Sequence, residues 1–271
     1  MNRPRPWRDH RDRPVEVPEV PGPEAPAFYV PIGDLQGPDY RRNAFAAGTA
    51  EELTALRGLV PIEAGTHVLD VGCGDGRHLR ALAAEVPGVR AVGVDVSAGL
   101  IDAGRRAASD EGVEVVLLHG DARELSTVLG DQASGFDVVW SLCQGALGTS
   151  PVSDPLVLSG MAAALRPGGT LLATFFHALF AARHLAPGDA FDPIDLVHHQ
   201  RAEVRGPDHA REHFDLWTAS YTAREVVRLA QDAGLHVRDV RGVEPGAYSR
   251  RAAGEVALDD PELLLTAARP R

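Results

Sequence analysis

The sequence contains no lysine, because all 27 residues in the combined lysine and arginine count are arginine. Arginine stays protonated, so Schiff-base chemistry and a lysine general base are excluded. Acidic residues number 38, and the formal net charge is -11 at pH 7. Proteins that bind nucleic acid gain much of their affinity by neutralising phosphates, so this balance argues against a nucleic-acid partner, although it leaves a local basic patch open.

Cysteine is scarce, and long apolar runs are missing. The two cysteines, Cys73 and Cys143, lie in unrelated segments, and their spacing matches neither a disulfide framework nor a metal site. We therefore interpret both as thiols. No apolar run is long enough to span a bilayer, and no hydrophobic stretch follows the basic N-terminal residues as it would in a signal peptide. We expect no membrane partner and a cytoplasmic location.

The N-terminal segment differs in composition from the rest of the chain. Residues 1–31 are rich in Pro, Arg, Asp and Glu and have few large apolar side chains. Such a segment cannot offset the entropy lost on ordering, so we predict a flexible tail. It is either a solvated extension or a segment that closes over a ligand. Residues 32–271 are long enough to form one α/β domain.

Strand-like and helix-like segments alternate from residue 49 to residue 177. Thr49 and Glu52 have the spacing of a capping box, which predicts a helix that ends at Gly58. The following runs are typical of buried strands and amphipathic helices in turn: HVLDV, RHLRALAAE, AVGVDV, LIDAGRRAAS, VEVVLL, FDVVWSL, PLVLSGMAAALR and TLLATFF. Their alternation predicts a doubly wound, mostly parallel α/β sheet with helices on both faces.

The alternation breaks after His177. Residues 195–205 and 211–221 read as two polar-apolar strands on either side of a Gly-Pro-Asp turn, which predicts an inserted β-hairpin. We expect residues 177–220 to form a cap over the substrate or a surface for a second subunit. Formation of a homodimer therefore stays an open alternative.

The last part of the chain completes the sheet. Thr222 and Glu225 form a second capping box, and the helix that they begin should stop at Gly234. The runs HVRDVRGV and ELLLTAA then supply two closing strands, which brings the predicted sheet to seven strands.

A glycine-rich turn directly after the first strand is the strongest functional signal. Gly72, Gly74 and Gly76 alternate with other residues, and glycine allows unusual backbone angles and close approach of the chain to a nucleoside. Dinucleotide-binding enzymes use a similar GxGxxG loop, but here the third glycine comes one position early. Asp70 also precedes the loop, where its charge would repel a pyrophosphate and attract an amino group.

Two further acids follow the next two predicted strands. Asp95 ends the second strand, at the usual place of a carboxylate that accepts hydrogen bonds from ribose hydroxyls. Asp121 follows the third strand and could accept a hydrogen bond from an exocyclic amine. Ligands of open α/β sheets bind at the carboxyl ends of the strands, so we expect the three acids, Asp70 included, to surround one nucleoside.

Together these segments resemble the class I S-adenosylmethionine-dependent methyltransferases, and the resemblance spans roughly residues 49 to 270. It implies the Rossmann-like methyltransferase fold, with S-adenosylmethionine as cofactor and LRPGG as the turn into the fifth strand. The resemblance places the glycine loop under the methionine part of the cofactor, Asp70 near its amino group and Asp95 at the ribose. It also implies contact between adenine and Val96, Asp121 and Ala122.

The substrate side is less specific. Later segments such as SLCQGALG and PGAYSRR are similar to a bacterial subgroup of small-molecule-type methyltransferases. If the sheet is as predicted, Ser141 and Gln144 lie at the mouth of the pocket, where we expect Ser141 to contact the cofactor and Gln144 the substrate. His177 beside them is the preferred general base. Cys73 and Cys143 would flank the cofactor. The candidate pocket walls are aromatic: Tyr40, Phe45, Trp217 and Tyr248.

The hairpin histidines do not predict a metal site. His198 and His199 are adjacent, so on a strand they would point to opposite faces. His209 and His213 have no carboxylate pair at ligand spacing. We therefore predict no metal.

Several alternatives remain open. An NAD(P)-dependent oxidoreductase shares the strand-loop-helix pattern but gives no role to Asp70 or Asp121. A non-catalytic cofactor-binding module has the same fold, because fold does not determine function. Among methyltransferases, the acceptor could be an O or N atom of a small molecule, a peptide or an RNA. The acidic charge and the lack of a basic recognition domain favour a small molecule.

Overall fold

The computed structural model describes residues 30–32, 35, 48–143, 145–205 and 211–271. Within them the helices are α1 Thr49–Leu59, α2 Arg77–Glu85, α3 Ala98–Glu111, α4 Leu125–Leu129, α5 Asp154–Ala164, α6 Ala178–Arg183 and α7 Ala223–Asp232. The strands are β1 His67–Val71, β2 Arg90–Asp95, β3 Val116–His119, β4 Phe136–Ser141, β5 Leu165–His177, β6 Ala190–Asp192, β7 Val197–Arg205, β8 Arg211–Tyr221, β9 His236–Val243 and β10 Glu262–Ala268. Residues 1–29 of the predicted tail lie outside these ranges.

The central sheet has the predicted doubly wound order. Its strands run β3-β2-β1-β4-β5, all parallel, and β10 and then β9 continue it in antiparallel pairing. The chain therefore starts at β1 in the middle, moves to one edge and returns to build the other half. This arrangement confirms the seven-stranded prediction. The LRPGG segment forms the start of β5, where the pairing with β4 is irregular.

Helices cover both faces of the sheet. On one face, side chains of α1 and α2 pack on Val68 of β1. On the other face, side chains of α5 and α7 belong to the same core cluster as Leu69 and Val71 of this strand. Successive residues of a strand point to opposite faces, so a strand that is covered on both faces must be apolar at nearly every position. Asp70 interrupts this apolar strand and is therefore buried.

The inserted hairpin is confirmed. Strand β7 pairs antiparallel with β8 along the whole length of β7, and the short β6 adds to β7. The end of β8 pairs parallel with the end of β5, so that His177 lies opposite Tyr221. The hairpin thus extends the sheet beyond the point where β4 stops.

One of the two predicted capping boxes is wrong. Thr222 and Glu225 form the second box as expected, with both reciprocal hydrogen bonds. Thr49, however, is the first residue of α1, and the preceding Gly48 makes no side-chain cap. The carboxylate of Glu52 is bound elsewhere, in the buried cluster described below. The helix also continues through Gly58 and ends at Leu59.

Among the residues that the structure describes, no helix has the length and apolar character needed to cross a bilayer.

Candidate active site

The glycine loop connects β1 to α2 in a conformation that needs glycine. Gly72, Gly74 and Gly76 have φ angles of +77°, +58° and +70°, which lie in the left-handed region. A Cβ atom on Gly72 would collide with the backbone of Gly145, in the loop after β4. The first glycine therefore lets two loops from neighbouring strands meet, a reason that the sequence did not reveal.

Asp95 fixes the glycine loop. It is the last residue of β2 and is buried, and its Oδ2 accepts a hydrogen bond of 2.7 Å from the backbone N–H of Gly74. Its Oδ1 accepts one of 2.8 Å from Ser97. Burial raises the pKa of Asp95, and these two N–H groups oppose the rise. Each carboxylate oxygen has a second lone pair, so the side chain can accept further hydrogen bonds from a ligand.

Asp70 is the buried acid with a missing partner. Its side chain is 1% exposed, and its Oδ2 has no hydrogen-bond partner among the described residues. Burial raises the pKa of Asp70 to about 7, against the opposing influence of the Trp140 indole and the Arg77 guanidinium. Trp140 lies opposite Asp70 on β4. Its indole nitrogen makes no hydrogen bond of normal geometry with any of the described residues. A buried acceptor without a donor costs stability, so its presence points to a missing ligand.

Asp121 lies in a different environment. It is partly exposed and precedes a 3₁₀ turn formed by Ala122–Glu124, and its carboxylate accepts hydrogen bonds from the backbone and guanidinium of Arg123. The side-chain hydrogen bond from Arg123 lowers the pKa of Asp121. Ala122 packs against the core, and the Val96 carbonyl accepts a hydrogen bond from His119. Asp121 is therefore an ionised acid at the rim of the site.

The sheet brings the three acids to the same edge. Asp70 lies opposite Gly93 of β2, and Asp95 lies opposite His119 of β3. The backbone N–H of Gly120 also bonds to the Asp95 carbonyl. Three adjacent parallel strands thus end together, as predicted for a nucleoside site.

Two other predicted cofactor residues lie at this edge. Ser141 ends β4 and is fully buried, and its Oγ accepts a hydrogen bond from the N–H of Ala146. Cys73 is buried in the glycine loop, where burial and the charges of Asp95 and Asp70 raise its pKa. Both cysteines are free thiols, as predicted. A thiol with a raised pKa is a poor nucleophile, so Cys73 contributes packing rather than reactivity.

His177 ends β5 and is 2% exposed. Its Nδ1 lies 2.9 Å from the backbone carbonyl of Asp260, an acceptor only, so Nδ1 must carry a proton. In the neutral ring, Nε2 is then a hydrogen-bond acceptor and can take up a proton. The structure thus fixes the tautomer that a general base needs.

The predicted substrate residues differ in their burial and in their contacts. Tyr248 is fully buried, and its hydroxyl is 3.3 Å from the Cys143 Sγ. Trp217 is half-buried on β8 and stacks on His199 at 4.7 Å between ring centroids. Tyr40, Phe45 and Gln144 lie outside the described residues.

Two carboxylates within residues 177–220 bind histidines of the hairpin. Asp189 binds His198, and Asp215 binds His199, each at 2.9 Å. Each histidine thus has its own carboxylate.

Asp154, which the sequence did not single out, ties the hairpin to the loop after β4. It is fully buried at the start of α5 and accepts hydrogen bonds from the backbone of Gly148 and Thr149. The hydroxyl of Tyr221 donates a further hydrogen bond of 2.6 Å to Asp154. A single carboxylate therefore links the hairpin, next to His177, with the loop that touches Gly72.

A second missed feature is a buried ion-pair cluster, which we define as Glu52, Arg77, His78, Cys143 and Tyr248. The Glu52 Oε2 accepts hydrogen bonds from Arg77 at 2.9 Å and from His78 at 2.7 Å. The Arg77 guanidinium also donates to the Cys143 Sγ at 3.1 Å. The only sequence signal was an acid flanked by core leucines on α1, and the spacing of a capping box concealed it.

The cluster offers three metal-ligand types but already contains a cation. One ligand atom each from Glu52, His78 and Cys143 lies within 4.8 Å of the others, a combination that zinc accepts. Arg77 donates hydrogen bonds to Glu52 and Cys143, however, and its charge would repel a metal ion. We therefore interpret the Arg77 guanidinium as the cation of this cluster, in the place that a metal ion would take.

The known proteins to which this chain is similar are methyltransferases. A family model described as a methyltransferase domain matches residues 68–169. The ubiquinone biosynthesis O-methyltransferase of Coxiella burnetii (strain Dugway 5J108-111) is 34% identical over 183 residues, which are 66% of this chain and 67% of that protein.

Solved structures share the fold. The CcbJ methyltransferase from Streptomyces caelestis aligns with a TM-score of 0.69 at 19% identity, covering 89% of this chain and 98% of that one. CalS10, an amino pentose methyltransferase from Micromonospora echinaspora solved with S-adenosylmethionine bound, aligns with a TM-score of 0.52 at 22% identity and covers 84% and 93% of the two chains.

The comparisons give no support to an oxidoreductase or to a non-catalytic module. The matched domain begins in β1 and includes the glycine loop, Asp95 and Asp121. Together with the 34% identity over two thirds of the Coxiella burnetii enzyme, it shows that this chain belongs to the class I S-adenosylmethionine-dependent methyltransferases.

Proposed function

We propose that this methyltransferase transfers the methyl group of S-adenosylmethionine to an oxygen or nitrogen atom of a small molecule. The relative from Coxiella burnetii is named for ubiquinone biosynthesis, and CalS10 for an amino pentose. The net charge of -11 also disfavours an RNA acceptor, since phosphates would be repelled. Both observations support a small acceptor over a macromolecule.

The observation that carries the assignment of the site is the buried Oδ2 of Asp70. It has no donor among the described residues, and the α-ammonium group of the cofactor would supply one. We assign Asp95 to the ribose hydroxyls, and Val96, Asp121 and Ala122 to adenine. The glycine loop with Cys73 would then lie beneath the methionine part, with Ser141 on the side of β4.

The protein contributes mainly alignment to the reaction. The sulfonium of the bound cofactor supplies an electrophilic methyl group. The chain must hold the acceptor in line with it and exclude water, and such positioning is worth about 7–11 kcal/mol. For this task the loop after β4 and the hairpin are anchored by the same residue, Asp154.

His177 is our candidate for the general base. It ends β5, opposite Tyr221 of β8, and its hydrogen bond to the Asp260 carbonyl leaves Nε2 as the acceptor nitrogen. A base matters most for a hydroxyl acceptor, where it contributes about 10²–10⁴-fold. Trp217, Tyr248 and Tyr40, together with Gln144, remain proposed substrate contacts.

We further propose that residues 177–220 cap the substrate. The hairpin extends the sheet at the end of β5, where a cap would cover the acceptor. The alternatives are a surface for a second copy of the chain and closure of the site by residues 1–31.

The test is calorimetric titration with S-adenosylhomocysteine, the demethylated product. Asp95→Ala should weaken binding by about tenfold or more, because it removes the acceptor for two ribose hydroxyls. Glu63→Ala, at an exposed position before β1, is the control and should bind as the parent does. Unchanged affinity in Asp95→Ala would show that the ribose lies elsewhere.

A further inference from the structure

The hydrogen bond that orients His177 comes from the turn of residues 257–260, which lies between β9 and β10. The backbone carbonyl of Asp260 accepts this bond from Nδ1 at 2.9 Å. The carbonyl of the next residue, Pro261, accepts a hydrogen bond of 3.0 Å from the backbone N–H of His177. Two consecutive carbonyls therefore hold the ring and the backbone of the same histidine.

The side chain of Asp260 holds the 257–260 turn together. It is 1% exposed, and its Oδ2 accepts a hydrogen bond of 2.6 Å from the backbone N–H of Ala257. The backbone N–H of Asp260 donates in return to the Ala257 carbonyl at 3.1 Å. Pro261 follows directly and restricts the backbone of Asp260 to the extended region. The carboxylate and the carbonyl of Asp260 are thus fixed together.

Arg251 and Gly242 fix the position of the carboxylate itself. The Arg251 guanidinium donates to Oδ1 of Asp260 from Nε at 3.0 Å and lies 2.8 Å from it through Nη2. Gly242 of β9 makes room for the carboxylate, because a Cβ atom there would come within 1.9 Å of Oδ2. Burial pushes the pKa of Asp260 upward, but the hydrogen bonds from Arg251 and from the Ala257 N–H hold it below its usual range. Asp260 is therefore an ionised carboxylate with donors on both oxygens.

Asp260 is the buried residue of this turn, and its neighbour Asp259 is exposed. The carboxylate of Asp259 lies 3.6 Å from Arg183 and 3.4 Å from His184, at the end of the helix that follows His177. Ion pairs between exposed side chains contribute little to stability. The two adjacent acids thus differ in burial while they share one turn, which makes Asp259 a suitable control.

We propose that Asp260 is a positioning residue for His177: its carboxylate, held by Arg251, directs the backbone carbonyl that keeps the proton of the neutral ring on Nδ1 and leaves Nε2 as the base. The proposal rests on the proposed role of His177. For a hydroxyl acceptor, the proton passes to Nε2 as the oxygen gains the methyl group. The ring becomes an imidazolium that keeps its hydrogen bond to Asp260, and the sulfonium becomes a thioether.

The first experiment measures the tautomer of His177 by nuclear magnetic resonance of protein with ¹⁵N-labelled histidine rings. The chain has 11 histidines, so the signal of His177 is identified by its loss in His177→Gln. On the alkaline side of its titration, the parent should carry the ring proton on Nδ1, since the hydrogen bond of one nitrogen sets the tautomer. In Asp260→Ala the ratio of the Nδ1–H to the Nε2–H form should fall by about tenfold, the scale of one hydrogen bond. Asp259→Asn is the matched control and should keep the parental ratio.

Gly242→Ala displaces the carboxylate without changing Asp260. The φ angle of Gly242 is one that any residue adopts, so the new methyl group acts through its collision with Oδ2. We expect the same fall in the tautomer ratio as in Asp260→Ala. Calorimetric affinity for S-adenosylhomocysteine should equal that of the parent in both variants, which shows that they are folded. Where Asp260→Ala does not fold, Gly242→Ala decides alone.

A parental tautomer ratio in either folded variant would overturn the positioning role, and so would a parent whose neutral ring carries its proton on Nε2. A merely structural role of Asp260 would lower the stability of Asp260→Ala and leave the tautomer of His177 unchanged. Failure of the proposed base is a separate result. Full activity of His177→Gln would remove His177 from catalysis but would not alter the tautomer ratios.

Discussion

Replacing Asp70 by asparagine should stabilise the ligand-free protein at neutral pH while weakening cofactor binding. Burial raises the pKa of this carboxyl from its ordinary value of 3.8 to about 7. One pKa unit corresponds to about 1.36 kcal/mol, so ionised Asp70 costs the folded state about 4 kcal/mol above pH 7. Asparagine has the same shape and no charge, and so it removes this cost.

The sign of the pH dependence is unusual for an acid. The folded state binds the proton more tightly than the unfolded state, so the parent loses stability as the pH rises from about 4 to 7, and the loss is constant above pH 7. The amide nitrogen of asparagine needs its own acceptor, and leaving it buried without one costs about 1–3 kcal/mol at every pH. The difference in unfolding free energy, variant minus parent, should therefore rise by about 4 kcal/mol between pH 4 and pH 8.

Urea unfolding of cofactor-free protein, followed by circular dichroism across this pH range, measures the difference. Asp121→Asn is the control, because the side-chain hydrogen bond from Arg123 lowers the pKa of Asp121, the opposite direction to the shift of Asp70. The affinity of the same Asp70→Asn protein for S-adenosylhomocysteine should be lower by at least about tenfold. A stability difference that does not change with pH would refute the burial of the Asp70 carboxylate, on which the assignment of the site depends.

The remaining predictions concern catalysis and the hairpin. His177→Gln should lower kcat by about 10²-fold for a hydroxyl acceptor with little change in the affinity for S-adenosylhomocysteine, as measured by single-turnover kinetics and calorimetry; full activity would remove His177 as the base. Tyr221→Phe leaves the buried Asp154 without one donor and should cost about 1–3 kcal/mol in urea unfolding, whereas Tyr221→Leu, which also removes the ring packed on Phe175, should cost more. Equal stability of Tyr221→Phe and the parent would show that Asp154 does not depend on this hydroxyl.

Residues that act through local pattern could be predicted from the sequence. The second capping box at Thr222 and the closing strands β9 and β10 were found because helix starts and strand alternation depend on neighbours in the chain. The common position of Asp70, Asp95 and Asp121 at the carboxyl ends of β1, β2 and β3 was predicted because parallel strands of one sheet end at the same edge, and their role at the cofactor stays a prediction. Here the order of the strands was enough to predict which strand ends lie side by side.

Residues that act through distant partners could not be predicted from the sequence. Glu52 has the spacing of a capping residue, yet its partners Arg77, His78 and Gly246 are 25, 26 and 194 positions away. Asp154 was likewise hidden, because its hydroxyl donor, Tyr221, is 67 positions along the chain. Local spacing shows which hydrogen bonds a side chain can make with its neighbours, but it does not show what the fold brings closer.

The sequence alone thus determined the fold class, the glycine loop and the identity of the acids around it, since these follow from periodicity and from the backbone freedom of glycine. Tertiary structure decided the protonation and the partners of those acids. Burial makes Asp70 a weak acid whose Oδ2 has no hydrogen-bond partner among the described residues, and a neighbouring guanidinium lowers the pKa of Asp121. The physical reason is that a pKa depends on desolvation and on nearby charge, and both are set by packing rather than by position in the chain.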